Sequence, residues 1–433
     1  MKLKLPRTIG RIVIITCSAL LTISCKNKSE GVKEEGATDE RSHRSKNETK
    51  SNTISYVDDV AFMENYLDLV QLSDTSGKSK VAISAALQGR VMTSSSSGMN
   101  GRSYGWINRE LFESKDTLDH INAFGGEERF WLGPEGGQYS IFFEKGAEFT
   151  LDNWFTPRLI DLEPFDVKSS TENKVIFTKR ASLTNYSGFK FDLGIEREVA
   201  LLSTEEILKE LGVAALPELK MVGYRTTNIL TNTGQKDWKK DTGLLSIWLL
   251  GMFNPSPNTT IVIPYVSGDE EELGMVVNDT YFGKVPAERL ITGEEVLYFS
   301  GDGEFRSKIG LSPMRAKAIA GSYDSENGIL TIVKYNKPDG VGDYVNSMWE
   351  IQERPFAGDV INAYNDGEPS PGEKPLGPFY ELETSSPALA LKSGESGTHI
   401  QLTCHIEGDR ATLGPIIKQV FGVSVAAIEN AFN

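Results

Sequence analysis

The sequence predicts a mainly β protein, a large antiparallel β-sandwich with a few short helices. Three observations carry that expectation. Short alternating or β-branched runs recur along most of the chain, turn residues separate them, and helical periodicity is scarce. The runs include Lys174–Lys179, Phe189–Val199, Arg225–Thr231, Leu244–Leu250, Thr260–Tyr265, Leu297–Ser300, Gly328–Tyr335, Phe379–Glu383 and Thr398–Ile406. Tyr139–Phe143 and Ser347–Glu353 read the same way, and Lys80–Arg90 reads as one strand ended by Gly89. Gly and Pro number 41 and 18, a balance suited to tight turns between strands.

The helices are few. The stretch VAFMENYLDLVQL places Phe62, Tyr66 and Leu69 on one helical face. Ser203 and Glu206 have capping-box spacing, and Gly212 is placed to stop the helix they open. Leu413–Phe432 predicts one or two further helices. Asp366–Pro378, rich in Pro, Gly and Glu, reads as a surface loop.

Residues 1–24 have the form of a lipoprotein signal peptide. Lys2, Lys4, Arg7 and Arg11 precede an apolar run, Ile12 to Ile23, that is short for a bilayer span. The run ends in Thr22-Ile23-Ser24-Cys25, similar to a bacterial lipobox, which makes Cys25 the expected lipidation site and membrane anchor. Residues 25–55 contain no aromatic side chain and are mostly Lys, Glu, Ser, Asn and Thr. They cannot bury enough apolar area to offset ordering entropy, so a disordered tether is expected. Residues 56–433 then form a single domain. The expected location is the cell envelope, on the periplasmic face or the cell surface.

Net charge is −15, and the basic leader means that the remaining chain is more acidic still. Such a body repels phosphate backbones, so no nucleic-acid partner is expected. With Cys25 lipidated, Cys404 has no disulfide partner. The sequence has no GxSxG, HExxH, Walker or CxxC motif and four histidines, so neither a metal nor another cofactor is expected.

Polar candidates cluster in three places. In INAFGGEERFWLGPEGGQYSIFF, Glu127, Glu128, Arg129 and Glu135 lie among Phe130, Trp131 and Tyr139, bracketed by Gly125-Gly126 and Gly136-Gly137. Charges beside large aromatic rings suit sugars, whose C–H faces stack while hydroxyls need acceptors and forked donors. An internal Arg–Glu pair fixing a turn is the plain alternative. In Thr398–Glu407, His399, Gln401, Thr403 and His405 share one face, the two histidines about 20 Å apart and thus too far to share a metal. Either histidine could act as an acid or base, and a solvated strand face is the alternative. In PFYELETSSP, Glu381 and Glu383 share a strand face, an arrangement open to acid/base chemistry. Arg225 is a further candidate, and Phe305–Lys317 is a local basic patch able to receive an anion or to balance nearby acids.

The segments VAISAALQGRVMTSS, TTNILTNTG and LETSSPALALKSGES resemble galactose-mutarotase-like supersandwich proteins. WINRELF, FGGEERFWLGPEGGQYSIFF, LGMFNPSPNTTIVIPY, VNDTYFGKVPAERL and GDVINAYNDG resemble an uncharacterised lipoprotein family of Bacteroidota-type bacteria. The mutarotase resemblance implies a sugar groove with Glu383 as general base. The histidine expected after a Thr-Asn pair is replaced by Ile229 or Thr233, leaving His399 or His405 as the remaining acid. The expected function is carbohydrate recognition in glycan metabolism, with Glu127, Glu128, Arg129, Trp131, Glu135, Arg225 and Glu381 as ligand-binding residues. The alternatives are a mutarotase-like epimerase or glycan-cleaving enzyme using Glu383 with a histidine, and an envelope structural protein.

Overall fold

Strict alternation on long strands decides the architecture. In the Lys190–Leu201 strand, Phe191, Leu193, Ile195, Arg197, Val199 and Leu201 are buried while the residues between them are not. A period of two puts these six on one face, and that face must find a second layer. The computed structural model describes residues 54–214, 219–340 and 342–432. The expected signal peptide, Cys25 and the tether up to residue 53 lie outside them. Ile54 and Ser55 belong to the body: the Ile54 carbonyl accepts from the Ser103 amide, and Ser55 caps the helix Tyr56–Met63 through a capping box.

Three antiparallel sheets form the body. The largest has ten strands, in the spatial order Leu290–Thr292, Val296–Ser300, Thr259–Pro264, Ile319–Asp324, Ile329–Tyr335, Ser396–Glu407, Lys220–Asn232, Lys190–Leu201, Lys174–Thr184, Asp166–Ser170. The second has five, in the order Ser307–Leu311, Ile361–Asn365, Tyr380–Ser385, Ser246–Phe253, Arg129–Gly133. The third pairs Val70–Ser73, Lys80–Ser84 and Arg90–Ser95. The protein is thus a mainly β, large antiparallel sandwich with short helices, as its sequence predicts.

The ten- and five-stranded sheets pack face to face over two apolar clusters. One joins Phe130, Leu132, Ile247 and Leu249 to Phe177, Leu193, Ile195 and Val199. The other joins Ile309, Leu311, Ile361 and Leu382 to Ile261, Ile263, Phe299 and Val333. Each such side chain stabilises the fold by about 1.5–3 kcal/mol on burial. The far face of the ten-stranded sheet is covered too: Leu402, Cys404 and Ile406 pack under the helices Thr204–Leu211, Arg410–Phe421 and Val425–Glu429. Cys404 is a buried free thiol, pushed up to about 12 by burial.

Between the two apolar clusters runs a buried polar seam, and it corrects several expectations. His399, Gln401, Thr403 and His405 face the other sheet, not solvent. Alternation reveals that a strand has two faces but not which one meets water, and here the apolar face is covered by helices. Glu127 accepts from Ser94 at 2.9 Å and lies 3.1 Å from His405 Nε2, whose ring stacks on Tyr104. Glu128 pairs with Arg197 at 2.9 Å and accepts from Gln401 at 2.8 Å. Burial raises the Glu128 carboxyl above its usual range, and Arg197 opposes that shift. His399 Nε2 meets the Thr384 hydroxyl at 2.8 Å, and burial lowers its ring to about 3, so it is neutral.

Local boundaries also differ from expectation. The first helix ends at Met63, and the chain then enters the strand Val70–Ser73. The predicted strand Lys80–Arg90 is two strands joined by a turn, with Gln88 and Gly89 at positive φ. Tyr139–Phe143 and Ser347–Glu353 are loops: the Ile141 amide bonds to the Pro134 carbonyl, the Phe142 amide to the Ser140 hydroxyl and the Gln352 amide to the Gln138 side chain, and Phe143 makes only an isolated bridge to Trp154.

Candidate functional site

Strand parity splits the predicted site residues into two groups. On Tyr380–Ser385, Leu382 and Thr384 point into the sandwich, while Glu381 and Glu383 point to the opposite face of the five-stranded sheet. On Arg129–Gly133, Phe130 and Leu132 go inward, and Arg129 and Trp131 go outward. The same rule puts Trp248 of Ser246–Phe253 and Lys308 of Ser307–Leu311 on the outer face. Loops build walls around these residues and leave a cleft. Two adjoining hollows of about 350 and 250 Å³ share Glu135, Trp248, Phe282, Arg306, Lys308 and Trp349. Their size suits a small ligand.

Arg129, Trp131, Glu135, Glu381 and Glu383 therefore do converge. Glu127, Glu128, His399 and His405 do not, since they lie inside the sandwich on the other side of the smaller sheet. Pairing of Glu383 with either histidine is excluded by this geometry. Arg225 projects from the outer face of the ten-stranded sheet and pairs with Glu210 at 3.6 Å, away from the cleft.

The cleft floor is an interlocked set of charges. Arg129 donates to Glu381 in a nearly buried ion pair, its guanidinium 4.9 Å from the Trp131 ring centre. Lys308 donates to Glu383 at 2.8 Å, and the Trp248 indole N–H donates to the same carboxylate oxygen at 3.0 Å. The other Glu383 oxygen, Oε1, is buried with no hydrogen-bond partner among the described residues. Lys308 also lies 5.0 Å from the Trp248 ring and 5.5 Å from the Tyr281 ring. Burial works against its charge, but the carboxylates of Glu383 and Glu135 outweigh it and hold the ammonium above the usual lysine value.

Glu135 stands in the wall, half-buried, and accepts from the Trp349 indole at 3.2 Å. Burial lifts its carboxyl to about 7, with Glu383 adding to the rise and Lys308 opposing it. Glu381 is also pushed up to about 7, first by burial, with Arg129 working against it and Glu383 with it. Two carboxyls poised near neutrality beside a third in an ion pair can donate, accept and exchange protons with a bound hydroxyl.

Gly136 and Gly137 explain how Trp349 reaches this place. A Cβ on Gly136 would lie 2.3 Å from the Met348 carbonyl oxygen, and Gly137 has φ +81° with the Gln352 amide where its Cβ would be. Only glycines let the loop 347–352 press onto the Glu135 turn. Gln138 and Gln352 then bond reciprocally, at 2.8 and 2.9 Å, and fix the loop. Trp349 packs on Phe143 and Trp154 behind the cleft.

Lys308, Trp248 and Trp349 were not singled out by sequence reasoning. Lys308 lies inside the basic patch Phe305–Lys317, on the strand Ser307–Leu311. The tryptophans gave no signal until the sheet order was known.

The high pKa of Glu135 has a consequence for stability. Below about pH 4.5 both folded and unfolded chains keep the proton. As pH rises toward 7, the unfolded chain releases a proton that the folded one retains, so the contribution of Glu135 to stability falls. Glu135→Gln removes that loss. Its stability relative to the parent, measured by thermal unfolding, should rise by about 1–3 kcal/mol between about pH 5 and about pH 8. A pH-independent difference would contradict the assignment.

Solved structures with a similar chain course include a galactose mutarotase-like protein from Lactobacillus casei ATCC 334. It is 11% identical, with a TM-score of 0.45, and the match covers 78% of this chain and 100% of that one. A galactose mutarotase related enzyme from Lactobacillus acidophilus is 9% identical, with a TM-score of 0.43, over 79% of this chain and 98% of that one. These likenesses concern the fold alone. No curated protein matches the sequence. Over residues 54–432 the chain fits a single family model, and it belongs to that family of unknown function, DUF6786.

Proposed function

We propose that this protein binds carbohydrate in the outer cleft of its five-stranded sheet, as an exported protein held to a membrane by lipid on Cys25. One observation carries the binding reading: indole and phenyl rings wall a cleft whose floor is a compensated set of carboxylates and cations. Trp131, Trp154, Trp248, Trp349 and Phe282 supply ring surfaces. Glu135, Glu381, Glu383, Arg129 and Lys308 supply acceptors and donors. A sugar needs both, because its ring has C–H faces and its rim has hydroxyls. Glu383 Oε1 has no partner among the described residues but is closed to solvent, so the half-buried Glu135 is the carboxyl that a hydroxyl meets first.

Calorimetric titration with an oligosaccharide panel tests this reading. At least one saccharide should bind, and Trp349→Ala should weaken that binding about 30-fold, the loss typical of a central Trp contact. Arg225→Ala, on the far sheet face, should leave it unchanged. Absence of binding to any saccharide at millimolar concentration rejects the proposal.

Export and anchoring rest on the leader: a basic start, an apolar run of signal length, Ser24-Cys25, and a polar spacer. Cys25→Ser should move the full chain from the membrane fraction to the soluble fraction on cell fractionation. Equal membrane association of the two forms counts against lipidation.

A second reading, conversion of the bound sugar, is favoured by the pair Glu135 and Glu383. Glu135 can hold a proton at neutral pH, and Glu383 is held as an acceptor by Lys308 and Trp248. If the protein turns over an anomeric or glycosidic substrate, followed by polarimetry, Glu135→Gln should slow it at least 100-fold with binding retained. Undiminished turnover would remove Glu135 from any such role.

A further inference from the structure

We infer that the saccharide taken by this cleft carries an anionic group, a carboxylate or a sulfate ester, received by Arg306. The inference rests on the carbohydrate reading of the same cleft and narrows its ligand class.

The cations of the cleft are not equivalent. Arg129 is engaged by Glu381, and Lys308 by Glu383. Arg306 makes no hydrogen bond or ion pair among the described residues, although it lines both hollows at their junction. Its guanidinium lies flat enough on Phe282 for the central carbon to be 3.9 Å from the ring centre. That contact holds the group in place without using any of its five N–H donors.

One acid whose carboxyl feels Arg306 is already committed. Asp366 accepts from the Tyr364 hydroxyl at 2.7 Å and from the Gly377 amide at 2.8 Å. Burial raises its carboxyl above the usual range, with Arg306 opposing as a weaker influence. The deeper acids do not repel an arriving anion strongly. Glu381 and Glu383 each face a cation, and the surroundings of Glu135 favour its neutral form.

In a chain of net charge −15, an arginine fork left unpaired at a cleft is available to an anion. Planar, bidentate oxygens match it best, as in a uronate carboxylate or a sulfate ester. With the anion at Arg306, the sugar ring extends toward Trp248 and Trp349, and its hydroxyls meet Glu135.

The test is calorimetric titration of the full chain with three matched oligosaccharides: neutral, uronate-bearing and sulfated. The inference expects one anionic form to bind at least ten-fold more tightly than the neutral one, with the preference shrinking as salt is added. The two anionic arms identify which group is received. Arg306→Gln should cost that form about 10- to 100-fold and cost the neutral saccharide much less. Arg306→Lys, which keeps charge but loses the fork, should restore part of the loss. Equal binding of neutral and anionic saccharides overturns the inference and leaves the carbohydrate reading intact. So does an Arg306→Gln variant that keeps the preference. Failure of every saccharide to bind overturns both.

Discussion

The cleft depends on one ammonium group. Lys308 sits where the carboxylates of Glu135, Glu381 and Glu383 are brought together by two separate segments of chain. Three buried or half-buried acids without a cation would repel one another and take up protons. With Lys308 bonded to Glu383 and resting between Trp248 and Tyr281, they coexist in a space of a few hundred cubic ångströms. Truncating such a partner is expensive, because it leaves a desolvated charge behind. The position of Lys308 on an outer strand of the smaller sheet is therefore a constraint on the whole site. Its strand must pair with Ile361–Asn365 in the observed register, in which Lys308 lies opposite Tyr364.

A single sheet separates two polar systems of different character. Inside the sandwich, Glu127 meets His405, Glu128 meets Arg197 and Gln401, and His399 meets Thr384, with no exposed surface to offer a ligand. That seam fixes how the two sheets sit, since a register slip would expose its charges to apolar side chains. Outside, the floor residues are just as desolvated, but they border an open volume. The same strand, Tyr380–Ser385, serves both systems through alternate residues: Thr384 bonds His399 and Gln401 inside, and Glu383 bonds Lys308 outside.

Much of the fold was legible because it rests on local rules. The helix opened by Ser203 and stopped by Gly212 follows from its caps, and most long strands follow from their period. The candidate site was legible by half. Arg129, Trp131, Glu135, Glu381 and Glu383 carry chemistry on short strand-like segments, so their types were informative. What failed was the side to which residues face. Glu127 and Glu128 adjoin Arg129 in sequence yet lie in the interior. The polar face of Ser396–Glu407 looked solvated because helices covering its apolar face come from elsewhere in the chain. Lys308 and Trp349 belong to the site only through long-range pairing and through the close loop approach that Gly136 and Gly137 permit. No pattern within a window of ten residues encodes either.

On the proposed reading, ligand recognition belongs to the outer face of the five-stranded sheet, not to the interior histidines. A crystal structure of the protein with a bound saccharide tests this most directly. The predicted result is a sugar ring against Trp248 or Trp349 with a hydroxyl within hydrogen-bond distance of Glu135. A saccharide bound elsewhere on the body, with Lys308 and Glu383 untouched, would contradict it.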